Sequence, residues 1–326
     1  MKRCLAGMAA LLLVLAAGCR RTPSPDGSES EGLPSASSDV TLPWEPSPDS
    51  ETVPTSSPTP TQPEPTRSSP PSSAPTASSP PTTAVPTEPP RAETVRLTFK
   101  EGDSLTKIFQ KLEDGGVTTV AKLMEASDTL DLSEFPLAAA MPQDSRRCFR
   151  LEGYLFPDTY EFYVGMQASS AINKMLDNFN RKITEDMQAR LDELGMSLGE
   201  IVNAASLIEK EAANDSERPV IASVIYNRLN YDMPLGIDAA VLYPYPEHEG
   251  APTAEMLAKD DPYNTRIKLG LPPTPISNPG IASINAALWP DATDYFYYAL
   301  DTATGTHQFF TNETDFNNFV ATQNYE

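Results

Sequence analysis

Three regimes of hydrophobic patterning divide the sequence. A short apolar run fills "CLAGMAALLLVLAAG" near the start, residues from Arg20 to about Ala92 offer almost nothing to bury, and periodic patterns begin near Val95. "TVRLTF" alternates and is β-branched, which predicts a strand. In "KEGDSLTKIFQKLEDGG", Leu105, Ile108, Phe109 and Leu112 share one helical face behind a cap at Asp103 or Ser104, and Gly115-Gly116 closes the helix. "TTVAKLMEAS" predicts a second short helix. Further helices are expected over Ala168 to Ile183, Glu185 to Leu194, Leu198 to Ala213 and Glu217 to Leu229. "DYFYYALD" and "THQFF" form a hairpin across "TATG", and a last helix starts at Glu313. The fold class is α+β: a small βαα unit over residues 93–148, then a mostly helical domain with a small antiparallel sheet over residues 149–326.

The first two regimes change the picture of where the chain works. A basic start (Lys2, Arg3), an apolar run too short to anchor as a membrane helix and small residues before a cysteine predict a signal peptide over residues 1–18. Ending on "LAAGC", it resembles a bacterial lipoprotein signal, in which Cys19 becomes the lipidated first residue; Ala16 stands where leucine is usual. Residues 19–92 then form a disordered tether rich in Pro, Ser and Thr, with 19 of the 33 prolines falling between Arg20 and Ala92. In polyproline form roughly 70 residues at about 3.1 Å each would reach on the order of 200 Å. The expected location is the bacterial cell envelope, lipid-anchored on the outer face of the cytoplasmic membrane, with the membrane itself as one partner.

Charge and side-chain inventory narrow the chemistry. With 45 acidic against 24 basic residues the net charge is −21, which disfavours nucleic acid as a partner. Two histidines, His248 and His307, and no paired cysteines argue against a metal site, and nothing calls for a cofactor. If Cys19 is lipidated, Cys148 has no partner, so no disulfide framework supports the fold.

"GMSLG", Gly195 to Gly199, matches the G-x-S-x-G elbow of serine hydrolases, but a helix rather than a strand precedes it. Ser197 with Glu200 reads as a capping box. The helix that follows is the informative one. In "SLIEKEAANDSERP", Asn203, Ser206, Lys210, Asn214 and Glu217 make one polar stripe, so Lys210 faces water. Glu209 and Glu211 lie to either side and lean toward packed surface. Small residues flank Glu209 and leave room for a ligand, whereas Leu207 and Ile208 crowd Glu211. A carboxyl in a partly apolar cleft suits a general acid. The competing reading is an ion pair between Glu209 and a basic residue of a neighbouring helix.

"LEGYLFPDTYEF", "ASLIEKEAANDSERPVIASVIYNRL", "DPYNTRIKLGLPPTPISNPG" and "YFYYALDTATGTHQFF" occur in this order, and together they resemble the YceG-like family of endolytic murein transglycosylases. The resemblance runs from about Val95 to the end, and the strand–"EGDSL"–helix–helix opening resembles a LysM-like glycan-binding unit. It implies that Glu209, first of the "EKE" triplet, is the single acid/base that cleaves the MurNAc–GlcNAc β-1,4 bond of nascent peptidoglycan strands. The muramic C6 hydroxyl acts as nucleophile and leaves a 1,6-anhydro end. Peptidoglycan glycan strands are then the substrate, and cell-wall synthases are possible partners. Tyr154, Asp158, Tyr160, Asp238, Tyr263 and Asn264 are candidate substrate contacts, with Asp158 and Asp238 the first suspects for a second carboxylate should the bond be hydrolysed, and Arg228 is a partner for a carboxylate of the protein or of a stem peptide. Gly236, Ala240, Thr274 and Phe316 depart from the family pattern. The alternative is a non-catalytic, lipid-anchored peptidoglycan-binding or scaffold protein.

Overall fold

The computed structural model describes residues 92–325; the expected signal peptide, Cys19 and nearly all of the tether lie outside them. β1 (Thr94–Thr98) leads into α1 (Leu105–Asp114), α2 (Val120–Thr129) and the single turn α3 (Pro136–Ala139). Ser104, not Asp103, caps α1 by accepting from Lys107 N–H, and α1 buries Leu105, Ile108, Phe109 and Leu112. Each such burial is worth about 1.5–3 kcal/mol. The partner of β1 comes from further along the chain. β2 (Thr159–Tyr163) runs antiparallel to it, with Val95 opposite Phe162 and Leu97 opposite Tyr160. The small sheet therefore draws its second strand from beyond residue 149, within the aromatic segment that carried no strand expectation.

The remainder is helical, built around one buried rod. α4 (Ala168–Lys182) and α5 (Glu185–Leu194) precede α6 (Leu198–Glu211), and α7 (Arg218–Asn230) follows a 3-10 turn at Asp215–Glu217. Gly195 ends α5 in the left-handed region at φ 63°, and Ser197 and Glu200 form the expected capping box. Then come the short α8 (Asp238–Leu242) and α9 (Ala254–Ala258), α10 (Ile281–Leu288), a hairpin of β3 (Tyr297–Asp301) and β4 (Thr306–Phe310), and α11 (Glu313–Val320). α6 is buried from Leu198 to Ile208 except Glu200 and packs on α10, α7 and α8. That explains its apolar character on nearly every face.

The polar stripe on α6 does not face water as expected, apart from Lys210, which is exposed. Asn203 and Ser206 are buried beneath the Pro-rich loop at residues 271–280. Asn203 Nδ2 donates to Pro272 O at 2.7 Å, and Ser206 Oγ accepts from Ile276 N–H at 3.0 Å. A loop laid over a helix must find partners for its own backbone, and these side chains supply them.

A second polar joint ties the first unit to this loop. Glu152 is fully buried; Leu105 N–H at the start of α1, Asn278 Nδ2 and Tyr243 Oη donate to its carboxyl at 2.8–3.1 Å. Burial pushes its pKa up to about 7 although these donors favour the charged form.

Candidate active site

The last turn of α6 points three charged side chains in different directions. Lys210 reaches solvent, while Glu211 accepts a 2.8 Å hydrogen bond from Tyr298 Oη on β3. Burial raises the Glu211 pKa, and the Tyr298 hydroxyl only partly offsets this. Glu209 turns toward α10, and its side chain is 6% exposed.

Three donors converge on Glu209. Oε2 accepts from Gly280 N–H at 3.0 Å and from Ser283 Oγ at 2.8 Å, and Oε1 lies 3.2 Å from Arg218 Nη1. Gly280 is the N-cap of α10 and Ser283 its third residue, so the carboxyl sits at the positive end of that helix. Arg218, the first residue of α7, is itself held by Asp215 Oδ1 at 3.0 Å from Nε, and Nη1 donates to Ser283 Oγ. The residue pattern left Glu209 open between a chemical role and an ion pair with a neighbouring helix, and the family resemblance implied the former; the ion pair is present, with the Glu209 side chain 6% exposed.

Behind this site Glu217 anchors the connection. It accepts from Ala213 N–H at 3.1 Å, Asn214 Nδ2 at 2.9 Å, and the His307 backbone N–H and Nδ1 at 2.9 and 2.7 Å. Burial would raise its pKa, but the His307 hydrogen bonds outweigh that and lower it. β4 is thus fastened to the segment between α6 and α7.

Among the described residues none of the other candidates hydrogen-bonds or ion-pairs with Glu209. Tyr154 is buried against Phe179, with burial raising its pKa to about 12. Tyr160 Oη donates to Phe156 O at 2.6 Å. Asp158 accepts from Asn178 Nδ2 at 3.0 Å beside β2. Tyr263 Oη shares a 2.7 Å hydrogen bond with Thr274, and Asn264 Nδ2 donates to the carbonyls of Met256, Leu257 and Lys259. Asp238 is buried and ion-paired to Arg266. Among the described residues Arg228 pairs with no carboxylate of the protein: it donates to the carbonyls of Phe296, Pro234 and Leu235 and lies over the Tyr297 ring. These residues shape the interior and its loops. Among the described residues no group of three or more His, Cys, Asp or Glu is placed to hold a metal ion.

Arg218, Gly280 and Ser283 were not foreseen. A signal for two of them existed, because "NPG" before "IASINAAL" marks a helix start.

Three of the four departures from the family pattern have a local feature of their own, and nothing in the structure explains Ala240. Gly236 adopts φ 68°, where a side chain would be strained. Thr274 fills its position with hydrogen bonds to Tyr263 and to Pro275 O. Phe316 stacks on Tyr297 at 5.4 Å.

Comparison with known proteins gives a consistent result. The model of the YceG-like family matches residues 82–322. An endolytic murein transglycosylase of Bacillus subtilis is 36% identical over 62% of this chain and 58% of its own length. One of Streptococcus pneumoniae is 31% identical over 72% of this chain and 45% of its own. The chain spans about half the length of these relatives. A crystal structure of a putative YceG-like protein from Listeria monocytogenes superposes with a TM-score of 0.63 at 33% identity, covering 68% of this chain and 75% of that one.

Proposed function

Because the chain belongs to the YceG-like family, we propose that it is an endolytic murein transglycosylase with Glu209 as its single acid/base. The observation that carries this reading is the seating of Glu209 at the N-terminus of α10, between Gly280, Ser283 and Arg218. A single carboxyl suffices when the substrate brings its own nucleophile. Glu209 gives its proton to the GlcNAc O4 as the bond from muramic C1 breaks. The muramic C6 hydroxyl then bonds to C1, and its proton returns to Glu209. No water is consumed, and the catalyst ends as it began. Intramolecular attack supplies a high effective molarity in place of a protein nucleophile. Ser283 can donate to the carboxylate or turn its hydroxyl to accept from the neutral acid, so one seat serves both halves of the cycle.

The βαα segment serves as a LysM-like glycan-binding unit, and Cys19 carries the lipid that holds the protein on the outer face of the cytoplasmic membrane. Cell-wall synthases are its natural neighbours there. Release of the Cys19→Ala protein from the membrane fraction supports the anchor; retention would refute it.

Digestion of isolated, uncrosslinked glycan strands, with mass spectrometry of the new ends, tests the reaction. Anhydro ends are expected. Ends heavier by one water would mean hydrolysis and a second carboxylate. Intact strands would leave the non-catalytic binding protein.

A further inference from the structure

The turn between β1 and α1 carries a carboxylate that the proposed reaction does not use. The turn is stiff. Gly102 N–H donates to Asn278 O at 2.9 Å, and Asn278 returns its N–H and Nδ2 to Asp103 O at 3.0 Å. The buried Asp103 carboxylate accepts from Lys100 N–H at 2.9 Å and pairs with Lys107 and Lys111 at 2.7 and 2.6 Å. Gly102, at φ 75°, lies over the end of α6. A Cβ there would be 3.4 Å from Glu209 Cγ and 3.8 Å from Lys210 Cδ.

This turn lays the Glu101 carboxyl against Gly280. A Cβ built on Gly280 would fall 1.8 Å from Glu101 Oε1 and 2.1 Å from its carboxyl carbon. Gly280 has an ordinary φ of −75°, so a side chain there is opposed by the Glu101 carboxyl, which would have to shift, and not by the backbone. The N–H of the same Gly280 is bound to Glu209 Oε2. Two carboxyls from distant parts of the chain therefore flank one residue.

We propose that Glu101 is a positioning residue of the active site, a second carboxyl that flanks Gly280 together with Glu209 and acts on the acid through its charge. This rests on the reading of Glu209 as the acid/base. The charges that face Glu101 are Glu209 of α6, Asp215 of the 3-10 turn and Arg218 of α7, with Lys210 beside Gly102. Arg218 directs Nε to Asp215 and Nη1 to Glu209 and Ser283, and among the described residues it makes no ion pair or hydrogen bond with Glu101. Burial and the charge of Glu209 raise the Glu101 pKa, Arg218 opposes them, and Asp215 adds to the rise. Coupling is reciprocal: whatever the charge of Glu209 does to Glu101, the charge of Glu101 does to Glu209.

Two measurements on the full chain test this. In the pH profile of anhydro-end release, Glu101→Gln should move the alkaline limb down by about half to one unit, because a like charge beside the acid is gone. The rate above that limb should fall roughly three- to tenfold, while the rate below it stays near wild type. Glu101→Asp keeps the charge and should restore much of the limb. Gly280→Ala should displace Glu101 and add no further shift to Glu101→Gln. A uniform fall at every pH, or an unmoved limb, would overturn the proposal. The second measurement needs no substrate: carboxyl carbon titration by NMR, in which the Glu101 midpoint should drop in Glu209→Gln. An unmoved midpoint would also overturn it. If the wild type releases no anhydro ends, the proposed reaction fails, and the titration alone still decides whether the two carboxyls are coupled.

Discussion

Glu152 and Glu209 use one device in two settings. Each places a carboxyl at the start of a helix that is remote in sequence: Glu152 at Leu105 of α1, and Glu209 at Gly280 and Ser283 of α10. Glu152 is sealed, with Asn278 and Tyr243 completing a closed set of donors. Glu209 is bounded instead by charged side chains, namely Arg218 and Glu101, with exposed Lys210 and Asp215 at the edge. The sealed carboxyl joins parts of the fold. The bordered one, its side chain 6% exposed, is the carboxyl proposed as the acid/base.

The largest effect expected from this contrast is on the rate at Glu209. Glu209→Gln keeps the size and an acceptor for Gly280 but cannot cycle a proton. Product formation on glycan strands should fall by at least about 10²- to 10⁴-fold. Thermal unfolding should shift little. A large loss of stability with activity retained per folded molecule would reverse the roles assigned to the two carboxyls.

Glu152 should answer oppositely. Glu152→Ala leaves the Leu105 N–H, the Asn278 amide and the Tyr243 hydroxyl buried without an acceptor, at a cost of about 3–5 kcal/mol in a urea titration. The residual folded protein should still cut glycan strands. A mutant of wild-type stability would mean that the joint is dispensable.

The pH dependence of stability sharpens the same point at a smaller magnitude. Glu152 titrates near 7 in the folded chain against an ordinary 4.5. Between those values the unfolded chain has released a proton that the folded chain keeps, so stability falls as pH rises through this window. At about 1.4 kcal/mol per unit the fall is up to ~3 kcal/mol. Glu101 and Glu211, also raised, add in the same direction. The urea midpoint should therefore be higher near pH 5 than near pH 8, and Glu152→Gln should shrink the difference. A midpoint that rises over this range would contradict the assignment.

Sequence reading reached these two regions unequally, for physical reasons. α4 to α7 were legible because a long amphipathic or capped segment repeats its signal over several turns, and the capping box at Ser197 states its own start. α8 and α9 have five residues each, too few to show a period. β2 was hidden because "TYEFY" places aromatic residues on both faces, which masks the alternation of Tyr160 and Phe162 with Thr159 and Glu161. Glu209 stood out as a carboxyl on a buried helix. Its partners did not, because Gly280 and Ser283 lie 71 and 74 residues away and only the closed fold brings them near. The same distance problem hides the contacts of Tyr263 and Asn264 within the protein. Aromatic and amide side chains can serve a sugar or a loop equally well, and here loops took them.

The smallest effect is expected at Glu211, two residues from the proposed acid and on the same helix. Its carboxyl accepts from Tyr298 Oη, and burial makes its charged form unfavourable. A raised pKa in the folded state means that Glu211 withdraws stability as pH rises, so a neutral replacement need not harm the fold. Glu211→Gln keeps an acceptor for Tyr298 and removes the charge. Stability at neutral pH should stay within about 1 kcal/mol of wild type and shift toward gain at higher pH. Glu211→Ala, which strands the Tyr298 hydroxyl, should cost about 1–3 kcal/mol instead. Both proteins should release anhydro ends at near wild-type rates. If Glu211→Gln abolished product while folding normally, the second glutamate of "EKE" would be the working acid, and the seat of Glu209 on α10 would be a structural cap like that of Glu152 on α1.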